Sequence, residues 1–163
     1  MTISTLPIQV AIASPATPEA RALIADLDDY LNALYPPENN YLLDVNALLA
    51  PEVSFVLARR ADAVLGCGAI RREGTPGVGY VELKRMYVKP EARGQRIAEA
   101  VVAFLENLAL ADGYRVARLE TGSEQQAALR LYERLGYAPI SAFGAYRPDP
   151  LNVFMEKRLS TPA

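Results

Sequence analysis

Between Tyr80 and Gly113 the apolar pattern changes from that of a strand to that of a helix, and a proline and a glycine mark the change. Tyr80 to Val88 reads as a strand, which Pro90 closes. From Gly94 to Asp112 the residues Ile97, Val101, Phe104, Leu105 and Leu108 recur at helical spacing, so a helix is predicted there. Gly113 suits its C-terminal stop. A strand that feeds straight into such a helix implies a sheet with helices packed on it.

The rest of the chain extends the same pattern. Ile8 to Ala13 is a first strand. Thr17-Pro18 opens a helix, with Thr17 as N-cap and Pro18 at the first helical position, and Pro36-Pro37 stops it after about Tyr35. Leu42 to Leu49 is a short helix. Val53–Arg59 and Ala63–Arg72 are strands joined by a tight turn at Arg60-Ala61-Asp62. Gly74 to Gly79 is a loop and Val116 to Thr121 a strand. Ser123 and Gln126 have the spacing of a capping box, ahead of a helix carrying Ala128, Leu131 and Leu135. Val153 to Leu159 is a last strand. The order β-α-α-β-β-β-α-β-α-β-β predicts one α/β domain over 1–163, a mixed sheet covered on both faces.

The single cysteine, Cys67, excludes an internal disulfide and a multi-cysteine zinc site, and fits a reducing cytosol. Between Gly66 and Gly68 it reads as a small buried filler. The chain has no histidine. That removes Ser-His-Asp and Cys-His catalysis and the usual imidazole metal ligands, so proton transfer falls to Glu, Asp, Tyr, Lys or Cys. No metal site is expected. A net charge of −2 argues against a nucleic-acid surface. Met1–Pro7 carries no export signal, and no apolar run approaches the ~20 residues that span a bilayer. A cytoplasmic protein with no membrane partner is expected.

The turn before the predicted helix bears chemistry. A helix N-terminus offers unpaired N–H groups and a partial positive charge, a ready site for an anion. Gly94 lets a ligand come close, while Arg93 and Arg96 add charge. Alone, the turn reads better as an ordinary strand–helix connection with glycine for its geometry. The glycines do not supply the G-x-G-x-x-G of a dinucleotide-binding turn.

The stretch Leu83 to Ala98 resembles the acetyl-CoA motif of the GNAT superfamily of N-acetyltransferases, Q/R-x-x-G-x-G/A, with Arg93 first and Ala98 last. Arg96 stands where that family usually has glycine, so its side chain must turn away from the pyrophosphate or contact a phosphate. Gln125 to Tyr137 is similar to the later family motif N-x-x-A-x-x-x-Y-x-x-x-G-F. Gln125 stands there for asparagine and Tyr137 for phenylalanine. Glu82 to Val88 and the Phe143–Pro150 loop are similar to a bacterial subgroup of small-molecule acetyltransferases.

The resemblance implies a mostly antiparallel sheet splayed between its fourth and fifth strands, flanked by about four helices. It implies acetyl-CoA as co-substrate, its arm against the backbone of Met86, Tyr87 and Val88. Arg93, Gly94, Gln95, Arg96, Ile97 and Ala98 would cradle the pyrophosphate, with Gln125 and Ala128 opposite. A backbone N–H near Met86 would hold the oxyanion. The amine would attack directly in a ternary complex.

Tyr132 is then the candidate acid for the departing thiolate, and Glu82 the candidate base, with Glu120 its rival. The expected acceptor is a small-molecule amine. A protein or peptide amine, or a non-catalytic acyl-CoA-binding module, are the alternatives, and a homodimer is plausible by analogy. Tyr35, Asn39, Asn40, Tyr41, Phe143 and Tyr146 are candidate pocket walls. Arg71 and Arg72 are candidates for holding an acceptor carboxylate.

Overall fold

Thr17 starts the first helix as its sequence requires: its hydroxyl accepts from Ala20 N at 3.2 Å, and Pro18 follows in the first turn. The computed structural model describes residues 6–160, so most of the Met1–Pro7 reading lies outside them. The helices are α1 (Pro18–Leu34), α2 (Val45–Leu48), α3 (Ile97–Ala111) and α4 (Gln126–Arg134). The strands are β1 (Ile8–Ile12), β2 (Val53–Arg60), β3 (Ala63–Glu73), β4 (Tyr80–Val88), β5 (Val116–Gly122), β6 (Ala138–Ile140) and β7 (Asn152–Arg158).

One seven-stranded sheet runs β1-β2-β3-β4-β5-β7-β6. Every neighbouring pair is antiparallel except β4–β5. A parallel pair needs a crossover, and α3 is that crossover. Val56, Ile70, Val81 and Leu83 on one face of the sheet pack with Ile97, Val101 and Leu105 of α3. Phe55, Leu57, Cys67 and Ala69 on the other face pack with Ala20, Leu23 and Ile24 of α1 and Leu48 of α2. Each fully buried leucine or isoleucine here contributes roughly 2 kcal/mol by leaving water. The sheet is therefore covered on both faces, in the expected element order.

Two helix starts differ from the sequence expectation. α3 begins at Ile97, three residues after Gly94, because Gly94 (φ 80°) and Arg96 (φ 62°) are left-handed and cannot join a right-handed helix. α4 begins at Gln126 without a capping box. Its N-cap is Gln125, and the Gln126 side-chain amide donates to Ser123 O at 3.0 Å, so the Ser123 hydroxyl caps nothing. The buried stripe of α3 is also rotated slightly, to Ile97, Val101, Val102, Leu105 and Ala109.

Candidate active site

β4 and β5 pair only at Val81–Ala117, Glu82–Arg118 and Leu83–Leu119. Beyond Leu83, β4 keeps β3 on one side and has no strand on the other. A bulge in β4 begins where the two strands part. Lys84 to Tyr87 on β4 lies opposite Ala69 to Cys67 on β3, so the β4 side carries one residue more. Arg85 within the bulge is left-handed at φ 57°, a conformation that costs an L residue about 1–2 kcal/mol. Local bonds offset that cost. Arg85 Nε donates to Leu43 O at 2.8 Å, its Nη1 pairs with Asp28, and the Cys67 thiol donates to its carbonyl at 3.3 Å.

The gap holds a narrow cavity of about 110 Å³, with Met86 on the β4 side and Glu120 and Thr121 on the β5 side. Leu27 and Leu31 of α1 and its C-cap Tyr35 form one wall, and Gln125, Ala128 and Tyr132 another. Tyr132 is buried, and that burial pushes its phenol well above the usual range, with the nearby Glu120 adding to the effect. It therefore stays protonated at any pH near neutrality. Burial also raises the Glu120 carboxyl, opposed by the hydrogen bond it accepts from Asn152 Nδ2 at 2.8 Å and by Lys84. A protonated phenol and a basic carboxylate thus line the same cavity.

A larger cavity of about 420 Å³ adjoins the first and shares Tyr41, Leu42, Leu43 and Lys84 with it. Glu82 lines this one and is only 1% exposed. Its carboxylate accepts from Arg71 Nη2 at 3.2 Å, from Lys84 Nζ at 3.2 Å and from the Tyr146 hydroxyl. Lys84 Nζ also donates to Tyr41 O at 3.1 Å and Tyr146 Oη at 2.7 Å. Burial lowers the Lys84 ammonium, with Glu82 opposing the shift. The Tyr41 and Tyr146 rings meet edge to face at 4.6 Å, which closes the roof over Lys84.

A third cavity, about 620 Å³, opens between the N-terminus of α3 and the side of α4. Arg93, Gly94, Arg96, Ile97 and Ala98 line it, with Ala128, Leu131 and Arg134 opposite. A Cβ built on Gly94 would meet nothing within 4 Å, so its positive φ, not crowding, is what calls for glycine. Arg96 is the N-cap of α3, exposed and without a hydrogen-bonded partner among the described residues. Free N–H groups, a glycine, the unpartnered Arg96 and Arg93, whose Nε donates only to Val88 O, fit a phosphate-bearing ligand, while Arg134 opposite is paired with Glu99.

Met86, Val88, Arg93, Gly94, Arg96, Ile97, Ala98, Gln125, Ala128 and Tyr132 thus line a row of adjoining cavities, in which a further hollow shares Met86, Gln125 and Ala128 with the first cavity and Val88, Arg93 and Ala128 with the third. Tyr87 lines that shared hollow, where Arg93 sits near the Tyr87 and Tyr30 rings at 5.9 and 6.0 Å. Gln95 stands apart, its side chain turned outward to pair with Arg60. Gln125 spends its side-chain carbonyl on the β5–α4 turn, accepting from Gly122 N at 2.9 Å and Thr121 Oγ1 at 3.2 Å. Arg71 faces the second cavity but is already committed to Glu82 and, at 2.6 Å, to Glu73. Arg72 lies elsewhere, bound to Asp112 at 2.6 Å and to Ser54.

Sequence reasoning missed Lys84 as the hub of the second cavity, the Asp28–Arg85 pair and the Asn39–Asn152 pair. No local signal marks them, since each joins residues far apart in the chain. Cys67 is the buried filler expected, and its thiol is pushed up to about 12 by burial. No metal-binding group of three or more acidic, cysteine or histidine side chains occurs among the described residues. None of the described helices is long and apolar enough to cross a membrane.

The family model of the acetyltransferase (GNAT) family matches residues 20–137. A relative from Azospirillum brasilense, an IAA acetyltransferase, is 45% identical over 93% of this chain and 98% of its own. A Klebsiella pneumoniae protein described as an acyl-CoA N-acyltransferase has a solved structure. It is 37% identical, superimposes with a TM-score of 0.79, and covers 94% of this chain and 98% of that one. The PaiA N-acetyltransferase of Thermoplasma acidophilum, solved with coenzyme A, shares the fold at 15% identity and a TM-score of 0.69, over 94% and 99% of the two chains. With sheet, parted strands and both sequence motifs in agreement, the chain belongs to the GNAT family of acetyltransferases.

Proposed function

We propose that the protein moves an acetyl group from acetyl-coenzyme A to the amine of a small molecule, by direct attack in a ternary complex. The observation that carries this reading is the placement of Tyr132 and Glu120 on one buried cavity, at the point where β4 and β5 part. Support comes from the adjoining cavities between that point and the Arg93–Ala98 turn, where Arg93 and Arg96 have no carboxylate partner among the described residues; a pantetheine arm and its pyrophosphate would suit such a path.

In this reading the amine nitrogen forms a bond to the carbonyl carbon, and the carbon–sulfur bond then breaks. A backbone N–H in the β4 bulge near Met86 would hold the oxyanion. Glu120 takes the proton that the amine sheds. Tyr132 gives its proton to the departing sulfur. Of the two carboxylates, Glu120 suits the base better than Glu82, because Glu82 already accepts from Arg71, Lys84 and Tyr146. Glu82 instead holds Lys84 and Tyr146 in place at the acceptor side.

A cavity roofed by Tyr41 and Tyr146 favours a small acceptor over a folded protein surface. The name of the Azospirillum relative, IAA acetyltransferase, also supports a small acceptor. The test is calorimetric binding of acetyl-CoA, followed by thiol release across amines, amino acids and peptides. Turnover with at least one small amine is expected. Tight binding without turnover on any amine would leave a binding module, and turnover confined to peptides would move the acceptor class.

A further inference from the structure

α1 touches both lips of the cleft. On the β4 lip, Asp28 holds the guanidinium of Arg85, the left-handed residue of the bulge. On the β5 lip, the Tyr35 hydroxyl accepts from Glu124 N at 3.0 Å, in the turn between β5 and α4. The hydroxyl end of the Tyr35 ring also lies against Gly122, the last residue of β5. A Cβ there would stand 1.9 Å from Tyr35 Oη. Gly122 is not left-handed, so the tyrosine alone is what requires glycine at that position.

Asp28 and Tyr35 are seven residues apart, two helical turns, and so belong to one stripe of α1 and its cap. The two grips stand about 10 Å apart along the axis, about twice the spacing of hydrogen-bonded strands. Leu31, between them, and Leu27, just before Asp28, line the cavity that Tyr132 also lines.

From this juxtaposition we propose that α1 is a brace across the cleft. Asp28, acting through Arg85, and Tyr35 are positioning residues. They fix the distance between the β4 bulge and the β5–α4 turn, and so limit the size of the acyl group that the cleft admits. The proposal rests on the reading that the cleft takes an acyl-CoA thioester. Neither residue needs to touch the reacting atoms.

The test uses the full chain with Asp28→Asn, Tyr35→Phe and Gly122→Ala, which loosen the brace from either side. The readout is kcat/KM for acetyl-CoA divided by that for butyryl-CoA, with the best amine from the screen. This ratio does not depend on how much of each variant is folded, so a merely structural role would leave it unmoved. A well-fitted apolar pocket discriminates on the order of tenfold per methylene. The wild type should therefore prefer acetyl-CoA, and each variant should lower the ratio about tenfold. Glu19→Ala, which cuts an exposed ion pair to Arg59 at the far end of α1, should not change it.

Equal losses on both thioesters, no loss on either, a wild type indifferent to chain length, or an equal shift in Glu19→Ala would each overturn the brace. Calorimetric affinities for the two thioesters separate this outcome from failure of the transfer reading. If the wild type binds acetyl-CoA but acetylates no amine, transfer fails and the same ratio is read from the affinities. If it binds neither thioester, the cleft reading and the brace fall together.

Discussion

The two ends of the site are built by different physics. The Arg93–Ala98 end is made by the backbone. A left-handed glycine, a left-handed arginine and the first turn of α3 leave a wide, solvent-open hollow with charge at its rim. The Glu82–Lys84 end is made by side chains. Two buried charges, a tyrosine hydroxyl and a backbone carbonyl from three separate segments close on one another. Backbone sites tolerate changes in neighbouring side chains and depend on φ. Side-chain sites have ordinary backbone and depend on each partner being present. The first suits a ligand part common to a whole family, the second a part that varies from one enzyme to the next.

The sharpest way to test this division lies between the two ends, at the chemistry. Tyr132→Phe should lower kcat on the order of a hundredfold or more, with the KM for acetyl-CoA little changed, as thiol release would show. A raised KM with unchanged kcat would make Tyr132 a packing residue of the open end. Glu120→Gln should cost on the order of a hundredfold in kcat/KM and remove the acidic limb of its pH profile. The sign follows from burial. Glu120 must lose its proton to act, and its pKa is raised, so wild-type activity should fall as pH drops through a point above the usual carboxylate range. Glu82→Gln should lower activity while keeping that limb; the reverse pattern would return the base to Glu82.

Lys84→Met tests the side-chain end. It leaves the Glu82 carboxylate buried with Arg71 as its remaining cation, and should cost about 3 kcal/mol of stability in urea unfolding. The paired change Lys84→Met with Glu82→Gln should recover a large part of that. A loss below about 1 kcal/mol for the single change would mean that the cluster is more open to water than its burial implies. Gly94→Ala tests the backbone end and should be the mildest. A left-handed alanine costs about 1 kcal/mol of stability. The KM for acetyl-CoA should rise several-fold with kcat nearly unaltered. An unchanged KM would show that the turn tolerates a shifted backbone.

The same division explains what could be read in the sequence. Thr17-Pro18, the strand from Tyr80 to Val88, Gly94 and the Tyr132 helix were visible because caps, periods and glycine turns are local. The left-handed Arg96 and Arg85 were not, since neither residue type signals that conformation. This is why helical periodicity alone places the start of α3 earlier than Ile97. The Glu82–Lys84 end is opaque in the sequence for a further reason. Lys84 reaches Tyr41 and Tyr146 across 43 and 62 residues, and Asn39 meets Asn152 across 113. Such pairs exist only once the sheet has assembled.

The sulfur chemistry of Cys67 has a practical consequence. Its thiol is buried, donates to Arg85 O, and is held to a pKa of about 12, so almost none of it is thiolate at neutral pH. It is also the only cysteine in the chain. In the folded protein a thiol-detecting dye therefore finds nothing to label. In an assay of the proposed transfer, colour from the folded protein would report thiol released from the thioester, and slow colour without an acceptor would report either thioester hydrolysis or unfolding. A denatured blank tells those two apart.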